Sequence, residues 1–411
     1  MERDEERRSG AGDHAADRAT KNIGLRGVTV TDTRVSHVDG TAGRLIYRGY
    51  DIDVLAARST YEEAAYLLLY GELPKPAELA AFTAAVGARR SVPRWLIGLL
   101  RSIPSEAAPT DVLQAAVAAL AADDRRPNDP SKEAMRERAI DLVGKMAAIT
   151  AAWHRLRRGL EALPADPGLG HAADFLRMLL GRDLDPAAAR DLDVALILHA
   201  DHSLNASTFV ARAAASTRAH LYACLSAALG ALSGELHGGA NSRVMQMLEA
   251  IGSPSAVEAY VAGRFDRHEP VMGMGHAVYH TDDPRALILQ AMARRAGERT
   301  GDPTWYDLTL RVQETTQRLF RERKGAEIYP NVDMYSASLY HALGIPGDLF
   351  TPVFAVSRVA GWSAHVIEER FAEAMEKPAL YRPQSDYVGQ YCGPESCAYV
   401  PLAERTGPAP F

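Results

Sequence analysis

Chemistry is easiest to place in this chain where a histidine stands beside glycines. In Leu236-His237-Gly238-Gly239-Ala240-Asn241 an imidazole is followed by two residues without side chains, so other groups can approach it closely. The glycine pair also offers a hinge that can absorb a change in backbone angles. In Met272-Gly273-Met274-Gly275-His276 a second imidazole follows two glycines, and Pro330-Asn331-Val332-Asp333 places a carboxylate in the opening turn of a helix. Arg358 stands in the apolar run Val353-Phe354-Ala355-Val356-Ser357-Arg358-Val359-Ala360, where a guanidinium needs an anion. His199 and His202, three apart, are expected to share a helix face, a spacing that can bind metal. Each residue has a plainer alternative. A histidine at a helix end suits the dipole, an aspartate at a helix start caps it, and an arginine is often answered by a surface glutamate.

The elements that must position these residues are mostly helices. Val28-Thr29-Val30-Thr31-Asp32-Thr33 alternates, and Arg44-Leu45-Ile46-Tyr47-Arg48-Gly49-Tyr50 follows Asp39-Gly40, which predicts two short strands joined by a turn. Helical spacing follows over 61–70, stopping at Gly71, and over about 77–90, 110–122 and 132–162. Residues 138–163 suggest a long basic helix with one packed and one solvated face. Pro186 opens a helix running to His199, Asn205 or Ser203 can cap the next, and further helices are expected over 240–251, from Pro284, and through 348–362. No repeat of 20–50 residues is apparent, which excludes a solenoid. The class is mainly α, with one β-ribbon near the start.

Composition narrows the function. With 411 residues there is room for two domains, or one large domain and a satellite. A net charge of −6 gives no overall basic surface for nucleic acid or an anionic membrane. No apolar run approaches the ~20 residues that span a bilayer. Residues 1–22 mix Glu2, Asp4, Glu5 and Glu6 with arginines and contain no hydrophobic stretch, so they read as a disordered tail rather than a secretory signal. Three cysteines, Cys224, Cys392 and Cys397, point to a reducing, cytoplasmic setting, with the last two as loop cysteines rather than half a metal site.

Taken together, the motifs resemble the citrate synthase family over residues 24–405. The similarity begins with Asp39-Gly40 and Tyr47-Arg48-Gly49-Tyr50 and continues through the histidine-rich 199–209 stretch. It then includes Leu236 to Asn241, Gly275 to Arg285, Pro330 to Ser336 and Ser357 to Trp362, and closes on Tyr387-Val388-Gly389 and Tyr399-Val400-Pro401-Leu402. The resemblance implies an all-α fold of two domains, with a smaller helical domain at 239–336 inserted between 23–238 and 337–411. It implies condensation of acetyl-CoA with oxaloacetate and hydrolysis of the thioester, with no metal and no cofactor beyond the CoA substrate. Asp333 matches the base, His237 the neutral donor to the enolate oxygen, and His276 the group that polarises the oxaloacetate carbonyl. Arg285 and Arg358, with His202, match the ligands of the substrate carboxylates. Arg382 in Tyr381-Arg382-Pro383 matches an arginine supplied by the second subunit of a homodimer.

This chain departs from the family pattern in places. Ser203 stands where the family usually has Glu, and Ala277 where shorter members often have Arg. His280 replaces a Lys or Arg that meets the CoA phosphates, Gln384 replaces a second common Arg, and 369–380 is longer than usual. Two other readings stay open. 2-Methylcitrate synthase uses the same machinery on propionyl-CoA, and a metal-dependent hydrolase would use His199, His202, His237 and His276. A helical scaffold without catalysis leaves the recurring motifs unexplained.

Overall fold

The computed structural model describes residues 23–389, apart from 26, 183 and 184, together with 401–404. The expected tail 1–22, Cys392, Cys397 and the Tyr399-Val400 pair lie outside the described residues. A single antiparallel sheet comes first, with β1 Ser36–Asp39, β2 Arg44–Tyr47 and β3 Tyr50–Asp51 in that order. Ser36 lies opposite Tyr47 and Asp39 opposite Arg44. The Asp39 carboxylate closes the turn by accepting the N–H groups of Thr41 and Ala42 at 3.0 and 2.8 Å. The strand expected over 28–33 is therefore misplaced, since the partner of β2 is the run next to the Asp39-Gly40 turn. Residues 28–33 form no strand: Val28 and Thr29 are exposed, and Val30, Thr31 and Thr33 are only partly buried.

The rest is helical. Before the centre of the chain lie α1 Ile52–Arg58, α2 Tyr61–Tyr70, α3 Pro76–Arg89, α4 Arg94–Ser102, α5 Pro109–Leu120 and α6 Lys132–Leu156. Then come α7 His171–Leu180, α8 Pro186–His199, α9 Ala206–Ser216 and α10 Leu221–Leu232. After the His237 turn follow α11 Ala240–Ile251, α12 Val257–Asp266, α13 Pro284–Thr300, α14 Thr304–Lys324 and α15 Val332–Ala342, and α16 Phe350–Phe371 ends the series. Stops follow sequence chemistry: Gly71, Gly181, Gly252, Gly301 and Gly325 take the left-handed conformation that closes a helix.

Two helices form the centre. α16 is buried from Phe350 through Glu369 and packs on α2, α6, α8, α9 and α10. At Gly361 an added Cβ would collide with the Ala200 carbonyl, so only glycine lets α16 lie this close to the end of α8. α6 departs from the amphipathic expectation: from Leu142 to His154 every residue but Lys145 is buried, because helices pack around it on several sides. Its Arg138 is not a solvated charge but a buried partner of Asp124 at 2.6 Å. α13 packs chiefly on α15, with α11 and α14 alongside. No helix among the described residues is long and apolar enough to cross a membrane.

Candidate active site

His237 sits in the turn between α10 and α11. The Gly238 N–H donates to the Leu232 carbonyl at 2.9 Å, and a Cβ at Gly238 would run into Leu232, so the turn requires glycine there. Thr351 Oγ1 donates to the Gly238 carbonyl at 2.9 Å and ties the turn to the start of α16. The Ser207 N–H points at His237 Nε2 from 3.2 Å, with Ser207 Oγ 2.8 Å from the same nitrogen. A backbone amide can only donate, so Nε2 is bare and the ring hydrogen lies on Nδ1. Burial, with a smaller effect from Arg358, pulls the imidazole down to about 4, so it is neutral at pH 7. Ser207 is itself fixed, its Oγ accepting from Trp362 Nε1 at 3.1 Å and lying 2.8 Å from Asn205 Oδ1, while its single hydroxyl hydrogen suits the bare Nε2. Asn205 also caps α9 through the Thr208 N–H, as its position in the sequence suggests.

His276 is held in the complementary tautomer. Its Nδ1 accepts the N–H groups of Val278 and Tyr279 at 3.0 and 3.1 Å, which leaves the hydrogen on Nε2. Burial first, then Arg285, lowers its pKa to about 4. The loop before it turns through Gly273 and Gly275 at φ 80° and 84°, and Met274 bridges Pro330. The Gly275 N–H donates to Tyr329 O at 2.8 Å, while Asn331 donates its N–H to Gly273 O at 2.9 Å and its Nδ2–H to Gly275 O at 2.8 Å. One asparagine thus stitches the His276 loop to the start of α15, where Asp333 lies.

Asn331 also caps that helix, its Oδ1 accepting the Asp333 N–H at 3.0 Å. The capping alternative for Asp333 therefore falls, because the cap is already filled. Among the described residues the Asp333 carboxylate has no hydrogen bond or ion pair. Part of the residue's surface is open to the cleft, yet protein surrounds the carboxylate closely enough that burial raises its pKa to about 6, against the pull of Arg285 and Arg358.

The two arginines differ. Arg285 is 1% exposed and forks onto Asp283, Nε to Oδ1 at 3.0 Å and Nη2 to Oδ2 at 2.7 Å. Arg358 is 4% exposed and has no carboxylate partner among the described residues. Its Nε is unsatisfied, and its guanidinium lies 4.4 Å over the Phe354 ring. Burial, with repulsion from Arg285, pulls its pKa down to about 10. A buried cation left without a protein partner fits an anionic ligand.

His202 completes this cluster, with its ring 5.3 Å from that of His276 and its Nε2 3.3 Å from the Tyr279 hydroxyl. His199 and His202 do not share a helix face, because α8 ends at His199. His199 instead meets Tyr340 Oη at 2.9 Å and lies 4.0 Å from the Phe354 ring. Among the described residues no three histidine, cysteine or acidic side chains are grouped to hold a metal ion.

Two expected site residues stand apart. His280 is exposed, and its N–H donates to the Gly40 carbonyl at 2.9 Å, fastening the loop to the β-ribbon. Arg382 is exposed and makes no hydrogen bond or ion pair with the described residues of its own chain. Sequence reasoning overlooked Ser207, Tyr279, Asp283, Tyr340 and Trp362. Ser207 and Trp362 lie inside quoted motifs and could have been found there, whereas nothing near Tyr340 marks it. Next to the His276 loop a cavity of about 670 Å³ is lined by Phe265, Val271, Met274, Arg323, Lys324 and Ile328, among others.

Residues 24–384 match the family model described as citrate synthase, C-terminal domain. The chain belongs to the citrate synthase family. Members of this family are acyltransferases in which the acyl group becomes alkyl on transfer, and this chain is an enzyme of that class. It is 41% identical to citrate synthase of Haloferax volcanii, over 93% of this chain and 98% of that one. Citrate synthase of Pyrobaculum aerophilum superposes with a TM-score of 0.84 at 39% identity, covering 93% and 95% of the two chains. Citrate synthase of Thermoplasma acidophilum, in a ternary complex with carboxymethyl coenzyme A and oxaloacetate, has a TM-score of 0.84 at 34% identity over 92% and 98%. 2-Methylcitrate synthase of Shewanella oneidensis is also similar, at 36% identity over 93% and 97%. The all-α fold with its N-terminal ribbon is the family's fold.

Proposed function

We propose that this site condenses acetyl-CoA with oxaloacetate and hydrolyses the resulting citryl-CoA to citrate and CoA. The observation that carries the proposal is Arg358, a buried guanidinium without a protein partner that acts on Asp333 and on neutral His237, beside Arg285, which acts on neutral His276. Oxaloacetate carboxylates would take Arg358 and the remaining N–H edge of Arg285, with His202 alongside. Asp333 takes a methyl proton from acetyl-CoA while His237 Nδ1–H holds the thioester oxygen as it becomes an enolate. The methyl carbon then bonds to the keto carbon, and His276 Nε2–H meets the oxygen that gains charge there. Water finally displaces the CoA thiol from the thioester.

Residues 239–336 would act as a smaller domain closing over oxaloacetate, excluding water until condensation is complete. The cavity beside Met274 and Ile328 would take part of CoA, with Arg323 and Lys324 near its phosphates and His280 at the loop edge. The working unit would be a homodimer in the cytoplasm. The exposed Arg382 and the exposed apolar Leu380, Tyr387 and Val388 support a C-terminal segment that lies on a second copy and completes its site.

Propionyl-CoA as the substrate is the alternative, since the chain is also related to 2-methylcitrate synthases. One methylene in an apolar pocket shifts preference by only ~1–3 kcal/mol. Measuring kcat/KM for both thioesters with oxaloacetate tests the proposal. A higher value for acetyl-CoA supports it, and a clear preference for propionyl-CoA replaces it with the alternative.

A further inference from the structure

A chain of buried polar groups joins the neighbour of Arg382 to the floor of this chain's own site. Tyr381 donates its amide N–H to Ser216 Oγ at 3.3 Å and its hydroxyl to Glu369 Oε2 at 3.0 Å, with its ring 5.8 Å from that of Phe209. Glu369 also receives Arg212 Nε at 2.9 Å. Arg212, only 1% exposed, donates further to Glu368 at 2.7 Å and to His365 Nδ1 at 3.1 Å. A guanidinium has no acceptor, so His365 Nδ1 accepts and its Nε2–H faces Asp201 at 3.3 Å. Asp201 also receives the Ser36 hydroxyl and the Ser203 N–H, and it directly precedes His202.

Tyr381 is the last partly buried side chain of its segment, since residues 382–389 are all exposed. Arg382 is therefore carried on chain that its own subunit does not cover, one residue beyond a fixed point. A long flexible side chain that must meet a carboxylate in another subunit gains most when the backbone bearing it is held in place. We propose that Tyr381 is a positioning residue whose hydroxyl bond to Glu369 sets where Arg382 is delivered to the oxaloacetate site of a second copy of this chain. This rests on the shared-site reading given above. Tyr381→Phe removes this bond together with the hydroxyl's contact with Thr31. The ring stays on Phe209, and Glu369 keeps Arg212, so no buried charge is left unpaired.

The test is the oxaloacetate KM and kcat of four proteins: wild type, Tyr381→Phe, Arg382→Ala and the double variant. Arg382→Ala should raise KM about a hundred-fold, as expected for loss of a charge-paired ligand contact. Tyr381→Phe should raise KM about ten-fold with kcat nearly unchanged, as for one hydrogen bond to a charged acceptor. The double variant should be no worse than Arg382→Ala alone, because an anchor has nothing left to deliver. A ten-fold effect of Tyr381→Phe in both backgrounds would make its role merely structural and overturn the proposal. So would a Tyr381→Phe enzyme with normal KM beside an impaired Arg382→Ala. If Arg382→Ala itself leaves KM unchanged, the shared-site reading has failed, and the role of Tyr381 fails with it.

Discussion

The Ser207 N–H points at His237 Nε2 from 3.2 Å, and this contact decides which side of the imidazole can act. Val278 and Tyr279 do the same for His276 from the opposite nitrogen. Both rings are thus fixed, neutral donors, and neither competes with Asp333 for the role of base. The functional difference between the two histidines is one of placement and can be measured.

His237→Ala and His276→Ala should both lose about 10²–10³ in kcat, as for removal of an oxyanion-type donor. His276 belongs to the cluster with His202 and Arg285, so its loss should also weaken oxaloacetate binding, while His237→Ala leaves it nearly intact. Calorimetric titration with oxaloacetate checks this, and the reverse pattern would mean the roles are exchanged.

Asp333 gives the pH dependence its sign. The base must be ionised, so with its pKa raised to about 6, kcat/KM should fall as pH drops through 6. Both histidines, near 4, stay neutral across that limb. Stability runs the other way. A folded-state pKa raised from 3.8 to about 6 gives stability that is present below 3.8 and lost as pH rises through 6. Asp333→Asn should therefore be more stable than wild type above pH 6, by on the order of 1–3 kcal/mol, and no more stable near pH 3. Thermal unfolding of both proteins across that range checks the crossover.

Arg358→Met removes an unpaired buried cation and keeps most of its volume. The free protein should gain stability, about 1–4 kcal/mol by comparison with other buried charges replaced by apolar groups. Oxaloacetate, which should raise the Tm of wild type, should leave this variant unmoved. A normal ligand-induced shift in Arg358→Met would remove Arg358 from the substrate site.

Mixing Arg382→Ala chains with Asp333→Asn chains tests whether sites are shared. Assayed with oxaloacetate near the wild-type KM, each homodimer should be nearly inactive. In a mixed dimer one site combines an intact Asp333 with an intact Arg382, while the other carries both lesions. Random exchange of equal amounts should restore about a quarter of wild-type activity. A mixture as inactive as its parents would show that Arg382 serves its own chain.

Much of this was legible in the sequence, for reasons that vary by residue. α2 and α11 read correctly from end to end because glycine follows each and apolar spacing fills it. His237, His276 and Arg358 stood out because glycines and an apolar run isolated them, and Asp333 because Pro330-Asn331 puts it in the opening turn of a helix. α4, α7, α12 and α14 did not stand out; α14 exposes much of its length and carries many charges, so its packed stripe is thin. The first strand was misplaced because alternation alone does not say which run meets the turn. Which nitrogen of His237 or His276 bears hydrogen depends on backbone N–H groups of Ser207, Val278 and Tyr279, and no side-chain pattern records those. Asp283 hid as a helix cap, a role it also fills by accepting the Arg285 N–H at 3.0 Å.

The central claim, that Asp333 removes a methyl proton so that acetyl-CoA can join oxaloacetate, is tested most directly by following release of the CoA thiol. Wild type should release thiol only when acetyl-CoA and oxaloacetate are both present, one per citrate formed. Asp333→Asn should bind oxaloacetate normally yet release thiol at least about 10²-fold more slowly. Near-normal thiol release by Asp333→Asn, or none by wild type with both substrates, would contradict the account.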